Sequence, residues 1–338
     1  ADQLRRAMTK KRSFETMNAL RERFIVGSKE REHSDGEIER VWEKIKDFSG
    51  FGFNKAHSVA YGTLAYLSAH TKYHNPAQFF ASIISNHGGY YPTRAYVEEA
   101  RRWKIKILEP DVNLSQETFK VLNGSIITGL AEIKNLSSRT TEHIINNQPY
   151  SSLEHFFTSA LPDIEEGINL VKSGALNAFN LPRPLQFLLL LTYLKTRKQA
   201  SQFNLVEQEK LLRSLSFASS SCDPKKLFFD QYETLNFSPS FHPLKILKPD
   251  RDFFVADLKE NQTATIWGMV IAWRVIRNKK GKLMAFVSLD DETGVVEAVL
   301  WPEIFKKIKS SIGQFIGLKG FLKDSNFVVE EILDSLSL

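Results

Sequence analysis

Cysteine is almost absent from the 338 residues, and Cys222 is the only one. A single thiol cannot form a disulfide within the chain, and it excludes any zinc site built from several cysteines. Because a chain without disulfides is typical of a reducing compartment, we expect a cytoplasmic protein.

Long apolar runs are also missing. The most apolar stretch reads LPRPLQFLLLLTYLKTRK, and its uninterrupted apolar part is too short to span a bilayer, so it predicts a core helix. No secretory signal pattern stands at the start of the sequence. We therefore expect no membrane partner.

The excess of one sign of charge is small. Lysine and arginine number 45 against 39 acidic residues, which gives a net charge of +6 and a pI near 9.1. This balance favours an anionic partner such as nucleic acid, although a modest excess is weak support on its own. A mass of 38.7 kDa with 42% apolar and 25% charged residues predicts an ordinary globular protein of two to four domains.

The spacing of apolar residues divides the chain into four regions. Spacings of three and four predict a helical domain over 1–113, and a connector with a second helical block follows over 114–218. A Ser-, Asp- and Pro-containing stretch opens a linker region over 219–260. The period changes to two in the final region, 261–338, so the fold class is multidomain α+β.

The final region predicts a small barrel. Its apolar runs and turns give three strands, a helix over 302–312 that opens with Pro302, and two further strands. This is the order of the five-stranded oligonucleotide/oligosaccharide-binding barrel, the OB-fold.

Residues 48–72, FSGFGFNKAHSVAYGTLAYLSAHTK, place polar donors ahead of an apolar helical run. Unpaired backbone N–H groups at a helix start favour an anion, so a phosphate-bearing ligand fits there. An ordinary helix capped by Asn54 or Ser58 explains the same residues. The stretch alone leaves both interpretations open.

Several motifs follow one another in a single order along nearly the whole chain. They are ADQLRRAMTKKR, GFGFNKAHSVAY, PAQFFASIIS, YVEEARRWKIKILEPDVNLSQETF, ITGLAEIKNL, NLVKSGALNAF, ETLNFSPSFHPLKIL and WGMVIAWRVIRNKKGKLMAFVSLDDETGVVEAVLWP. Together they resemble the C-terminal portion of the polymerase subunit of bacterial C-family replicative DNA polymerases, DNA polymerase III. The resemblance implies the all-α end of a fingers domain, a helix-hairpin-helix block and an OB-fold barrel that act in DNA replication.

The resemblance also implies contacts with an incoming deoxynucleoside triphosphate. In the LRRAM motif, Arg5 and Arg6 are expected to approach its phosphates. In FNKAHSVAY, Lys55 is expected beside the nascent base pair or its phosphates, and His57 beside the nucleotide sugar.

Lys10 and Lys11 extend the basic cluster that begins at Arg5. Such an array suits a triphosphate or a DNA backbone, since arginine offers a fork of donors and lysine a point charge. A solvated basic helix face is the alternative that the residues alone favour.

Nucleotidyl transfer needs carboxylates that hold two metal ions. The resemblance places these carboxylates, and their Mg²⁺, in a palm domain that is expected to precede Ala1. Asp250 and Asp252 in KPDRDFF are not assigned this role, because they follow FHPLKIL and lack the preceding apolar strand of a palm. The acidic run 290–292 lies in a predicted hairpin turn, where acidic residues are turn formers.

Three interpretations of the chain therefore stay open. It is part of a DNA-directed DNA polymerase subunit, a non-catalytic DNA-binding or clamp-tethered accessory protein, or a nonfunctional remnant. Other replicase subunits are expected partners under the first interpretation.

ITGLAEIKNLSSRTTEHII resembles the helix-hairpin-helix segment of the family, whose Gly-x-Gly hairpin offers backbone N–H groups to a DNA phosphate. The hairpin here is Asn135-Leu136-Ser137, and serine at the second glycine position restricts close approach of a phosphate. The hairpin is therefore either a phosphate site or purely structural. Lys134 and Arg139 are expected to supply charge to DNA.

Gln199-Ala200-Ser201-Gln202-Phe203 resembles the pentapeptide that binds the bacterial sliding clamp. In that motif the leading glutamine and the final aromatic residue fill a groove on the clamp, so Gln199 and Phe203 are the expected anchors. The second and fourth positions, usually aliphatic, depart from the motif.

The first barrel strands combine aromatic and basic residues. The aromatic residues are candidates for stacking on single-stranded bases, and the basic residues for following the backbone. Core packing of the aromatic residues is the alternative, because a small barrel needs large side chains inside. The candidates are Trp267, Trp273, Phe286, Arg274, Arg277, Lys279, Lys280 and Lys282.

Overall fold

The computed structural model describes residues 14–48, 55–87, 89–197, 223–308 and 311–336. These residues belong to two compact units, Ala1–Tyr73 and His74–Leu338.

The first unit is helical, as its apolar spacing predicts. It contains α1 (Phe14–Lys29), α2 (Asp35–Phe48) and α3 (Lys55–His74), which ends one residue beyond the unit. A capping box starts α2, because Glu37 N donates to Ser34 Oγ and the Glu37 carboxylate accepts from Ser34 N at 3.1 Å.

The contact between α1 and α2 is built around Trp42, which is 4% exposed. Leu20, Phe24 and Ile45 pack against this indole. Arg21 Nη2 on α1 donates to both carboxylate oxygens of Glu39 on α2, at 2.8 and 3.0 Å. Burial of one large aromatic side chain therefore organises this pair of helices.

The second unit opens with a helical block that shares one apolar core with a small sheet. Strands β1 (Ile107–Leu108), β2 (Lys120–Leu122) and β3 (Ser125–Ile127) form the sheet in the order β1-β3-β2. The helices of the block are α4 (Pro76–Asn86), α5 (Thr93–Arg102), α6 (Ser138–Asn146), α7 (Leu153–Ala160), α8 (Ile164–Ser173), α9 (Arg183–Arg197) and α10 (Pro224–Leu235).

Residues 223–260 fold into the second unit, whereas the sequence predicts a linker region over 219–260. They contain α10 and the short α11 (Leu244–Leu247). Phe228, Leu235 and Phe237 are at most 3% exposed, so the segment contributes apolar side chains to the core. The Ser-, Asp- and Pro-containing stretch at its start has the composition of a loop, which is why the segment resembled a linker.

The barrel has the strand order that the sequence predicts. Its strands are β4 (Thr263–Arg277), β5 (Leu283–Asp290), β6 (Val295–Leu300), β7 (Phe315–Lys323) and β8 (Asn326–Leu336). They close in the order β4-β5-β6-β8-β7, in which β6 and β8 are parallel and the other neighbours are antiparallel. The predicted five-stranded OB-fold is confirmed.

The helix between the third and fourth barrel strands is shorter than predicted. Helix α12 (Pro302–Phe305) has four residues, whereas the pattern predicted a helix over 302–312. Trp301 caps it through its backbone, and Pro302 occupies the first turn.

Helix α5 joins the helical block to the barrel. Arg102 Nη1 donates to Asp290 Oδ1 at 2.6 Å and to the carbonyl of Asp291 at 3.1 Å, at the end of β5. Ala95 of α5 packs with Trp267 and Phe315 of the barrel. The barrel is therefore attached to the block by both hydrogen bonds from Arg102 and apolar contact.

Candidate nucleic-acid interface

The outer face of strands β4, β5 and β6 carries an aromatic and cationic pair. The strand register aligns Arg274 with Phe286, and Phe286 with Val299. The Arg274 guanidinium lies 4.7 Å from the centre of the Phe286 ring and pairs with Glu297 at 3.2 Å. A half-buried phenyl ring beside an exposed guanidinium can accept a stacked base and its neighbouring phosphate.

The β4–β5 hairpin extends this face with basic side chains. Asn278 Oδ1 accepts from the N–H groups of Lys280 and Lys282, both at 3.0 Å, and Gly281 has φ of 74°, so the turn is well defined. Arg277 Nη1 donates to the carbonyl of Gly281 at 3.0 Å. The lysine side chains of the turn are exposed, and Lys282 Nζ lies 3.8 Å from Glu303 Oε1. All of the basic residues predicted here are exposed: Arg274, Arg277, Lys279, Lys280 and Lys282.

Trp267 does not belong to this face, which corrects the sequence prediction. It is 7% exposed, and its Nε1 donates to the carbonyl of Asp250 at 2.9 Å. A Cβ on the facing Gly317 would lie 2.6 Å from the indole, so glycine there makes room for the ring. Because α5 and α11 cover this side of the barrel, Trp267 is a packing residue and cannot stack on a base.

Trp273 also packs against the barrel core. Its ring lies 6.3 Å from that of Phe305 on α12, and it is only half-buried. Of the three predicted aromatic residues, Phe286 alone lies in the outward row with Arg274.

Trp301 is an exposed aromatic residue that the sequence reasoning missed. It directly follows β6 and is 48% exposed. The available signal was its position between a predicted strand and Pro302. Side chains alternate between the two faces only within a strand, so a residue just after the strand does not have to be buried.

The hairpin before α6 uses its polar groups within the protein. Asn135 takes the left-handed conformation, with φ of 58°, and its side chain donates to Glu165 Oε1 at 2.8 Å. Ser137 caps α6 by accepting from Thr140 N at 3.2 Å. The side chains of Lys134 and Arg139 are exposed.

Two family models match the second unit. One is described as a helix-hairpin-helix motif and covers residues 104–185, and the other is described as an OB-fold nucleic acid binding domain and covers residues 264–337. The first includes the hairpin and helices α6 to α8, and the second includes the barrel strands.

Curated relatives match almost the entire chain. The DNA polymerase III subunit alpha of Aquifex aeolicus is 30% identical over 355 residues, which is 98% of this chain and 30% of that protein. The subunit of Thermus aquaticus is 33% identical over 94% of this chain and 28% of its own length. The chain is similar, over almost its whole length, to a portion of the DNA polymerase III alpha subunit. An error-prone DNA polymerase of Corynebacterium diphtheriae is also similar, at 28% identity over 99% of this chain and 32% of that protein.

The chain spans about 30% of the length of the curated relatives that it matches. Within it, the expected nucleotide contacts Arg5 and Arg6, and the neighbouring Lys10 and Lys11, lie outside the described residues. The expected clamp anchors Gln199 and Phe203 also lie outside them.

Lys55 and His57 lie in the first turn of helix α3. The position of the Lys55 side chain is outside the described part of the structure. His57 is exposed, and its ring lies 4.3 Å from that of Tyr61, one turn further along the helix.

The acidic residues near the barrel have structural partners. Asp252 Oδ2 accepts from Thr265 N at 2.8 Å. Asp291 Oδ1 accepts from the N–H groups of Thr293 and Gly294, at 2.7 and 2.9 Å, which fits its expected role in a turn. Asp290 differs from that expectation, because it is fully buried and pairs with Arg102.

No group of three or more His, Cys, Asp and Glu side chains within the described ranges is arranged to hold a metal ion. The same part of the chain contains no helix that is both long and apolar enough to cross a membrane.

Proposed function

We propose that this chain is the part of a DNA polymerase III alpha subunit that holds single-stranded template DNA on its barrel during replication. The observation that supports this most is the outward row of Arg274 and Phe286 beside a hairpin with three exposed lysines. In OB-folds the face of the second and third strands, together with the loop before the second strand, binds nucleic acid.

The chemistry of this face suits a single strand without sequence preference. Every base has a π-face that can stack on Phe286, and the lysines of the hairpin can neutralise successive phosphates. Glu297 holds Arg274 close to Phe286 in the free protein. A DNA phosphate can take over the pairing of Arg274, because both the carboxylate and the guanidinium are partly exposed.

The remaining parts of the proposal rest on the family motifs. Arg5, Arg6, Lys55 and His57 contact the incoming deoxynucleoside triphosphate, while Mg²⁺ is held by a palm domain of the whole subunit. Lys10, Lys11, Lys134 and Arg139 add positive charge toward the primer-template duplex. Gln199 and Phe203 anchor the chain on the sliding clamp.

Charge removal at the hairpin tests the barrel proposal. A Lys279→Ala/Lys280→Ala/Lys282→Ala variant is expected to bind labelled single-stranded DNA more weakly in fluorescence anisotropy. Its salt slope is expected to fall by up to about 2, since each lost phosphate contact removes about 0.7 from the slope on a single strand. Phe286→Ala is expected to lower affinity at all salt concentrations, by about 1–3 kcal/mol for a lost stack.

A matched control removes the same charge from elsewhere in the barrel region. Lys259, Lys319 and Lys323 are exposed like the hairpin lysines. Their triple alanine variant is expected to keep most of the affinity. An equal loss in both triple variants would mean that only net charge matters and would reject the barrel face as the binding surface.

A further inference from the structure

One buried carboxylate occupies the donors of the helix-hairpin-helix hairpin. Glu166 on α8 is 5% exposed. Its Oε1 accepts from the N–H and the hydroxyl of Ser137, at 3.0 and 2.6 Å. Its Oε2 accepts from Thr140 Oγ1 at 2.9 Å and from Asp163 N at 2.9 Å.

The same carboxylate therefore serves two helix starts. For α8 it completes a capping box with Asp163, whose side chain accepts from Glu166 N at 2.8 Å. For α6 it lies where the helix terminus and its hairpin offer donors to an anion.

Further bonds fix the rest of the hairpin from the protein side. Lys134 N donates to the carbonyl of Thr234 at 2.9 Å, and the carbonyl of Lys134 accepts from Asn169 Nδ2 at 2.7 Å. These contacts link the hairpin backbone to α8 and α10. They leave the hairpin little freedom to reshape around a ligand.

The carboxylate is ionised at neutral pH. Burial alone would raise the pKa of Glu166, but hydrogen bonds from Ser137, Asp163 N–H and Thr140 outweigh burial and hold its pKa below the ordinary value. A phosphate directed at Ser137 N–H would meet a negative charge already bonded to that group. It would have to displace a carboxylate that is buried and holds four donors.

We propose that Glu166 is an internal anion that takes the place of a DNA phosphate at this hairpin. The hairpin then does not coordinate DNA through its backbone, and Lys134 and Arg139 contribute only diffuse charge. This refines the proposed function, on which it rests for the identity of the nucleic-acid partner, by assigning backbone recognition to the barrel and a scaffold role to the hairpin.

Amide NMR of the full chain tests this assignment at each position separately. On addition of single-stranded DNA, and then of duplex DNA, the amide of Gly281 in the barrel hairpin is expected to shift, and the amide of Ser137 is expected to stay in place. A saturable shift of the Ser137 amide in the wild-type protein would overturn the inference. An unmoved Gly281 amide would instead contradict the proposed barrel function, so the two failures are distinguishable.

Removal of the carboxylate provides the second arm, with inorganic phosphate as the probe. Glu166→Ala is expected to give a saturable phosphate-dependent shift of the Ser137 amide that the wild type lacks. Glu165→Ala is the control, since Glu165 is exposed and bonds only the side chain of Asn135 among the contacts described above, and it is expected to behave like the wild type. If the Glu166→Ala protein is folded and its Ser137 amide resonance does not shift with phosphate, the carboxylate is not what excludes the anion.

If Glu166→Ala does not fold, Glu166→Gln keeps the shape and one acceptor oxygen while removing the charge. The same phosphate-dependent shift is expected, at weaker affinity, and its absence in folded Glu166→Gln counts against the inference. The wild-type titration with DNA decides the main point without either variant.

Discussion

Asp290 has no exposure to solvent, and its two oxygens differ in their surroundings. Oδ1 accepts from Arg102 at 2.6 Å, whereas Oδ2 is buried without a hydrogen-bond partner among the described residues. Burial raises the pKa of Asp290 to about 8, because the charge of Arg102 only partly offsets the loss of hydration. The neutral acid is therefore favoured in the folded protein at neutral pH.

The stability of the protein is expected to depend on pH through this group. Between its ordinary pKa of 3.8 and about 8, folded Asp290 binds a proton that the unfolded chain has released. Its stabilising contribution is therefore complete below the lower value and decreases as pH rises to about 8, with a slope of at most about 1.4 kcal/mol per pH unit.

Denaturant unfolding of wild type and Asp290→Asn from pH 5 to 9 measures this dependence. The wild-type free energy of unfolding is expected to fall with pH relative to the variant, whose amide cannot titrate. A difference that is flat, or that rises with pH, would mean that Arg102 keeps Asp290 ionised throughout the range.

At the scale of elements, the segment between the helical block and the barrel is the clearest departure from expectation. Phe237 follows α10 and is 1% exposed, with its ring 5.9 Å from that of Phe119 beside β2. A residue of a linker would be exposed to solvent and would not pack in an apolar core. The segment therefore contributes directly to the stability of the helical block.

Phe237→Ala is expected to destabilise the chain by about 3–5 kcal/mol, which is typical of removing a buried phenylalanine. Phe229→Ala is the matched control, because Phe229 lies on the same segment and is 39% exposed. Urea unfolding of both variants measures the contrast. Equal and small effects would indicate that residues 223–260 do not contribute to the stable core.

The sequence predicted the barrel strands well, because turns and a period of two mark each of them. It could not tell which side of β4 faces solvent. Both sides of this strand bear apolar residues, since Ile266 lies in the barrel core and Trp267 lies under α5 and α11. Burial of an outer face depends on elements that are distant in sequence, here α5 and α11. The sequence around Trp267 therefore could not distinguish a packing residue from a stacking residue.

The hairpin shows a similar limit at the candidate site. Serine in place of glycine at position 137 indicated that phosphate binding was in doubt. The partner of Ser137 lies 29 residues away, where the Glu166 carboxylate accepts hydrogen bonds from the Ser137 N–H and hydroxyl. A contact of that separation has no local signal in the sequence, because it depends on how α6 and α8 pack.

At the scale of the whole molecule, the proposed function predicts different effects for two sets of residues. In a complete alpha subunit that includes this chain, Arg6→Ala is expected to raise the apparent KM for nucleotide by about one to two orders of magnitude, since a charge-assisted phosphate contact of about 1.5–3 kcal/mol is lost. Gln199→Ala/Phe203→Ala is expected to leave this KM unchanged and to shorten products only when the sliding clamp is present.

Primer extension with and without the clamp, at several nucleotide concentrations, measures both effects. Circular dichroism melts serve as the control for folding of each variant. An unchanged KM for Arg6→Ala would favour the alternative interpretation, in which the basic cluster at the start of the chain is a solvated helix face. Clamp-dependent synthesis that survives the double substitution would place the clamp contact elsewhere.

Under the proposed function, the attachment of the barrel through α5 also affects how a bound DNA strand is positioned relative to the helical block. A barrel on a flexible tether would sample a wide volume, and the local concentration of its bound DNA near the helical block would fall as the tether lengthened. The Arg102–Asp290 pair and the packing around Trp267 remove that freedom before any DNA arrives. The conformational entropy of positioning the barrel is then lost when the protein folds, so the proposed binding of template DNA would not have to supply it.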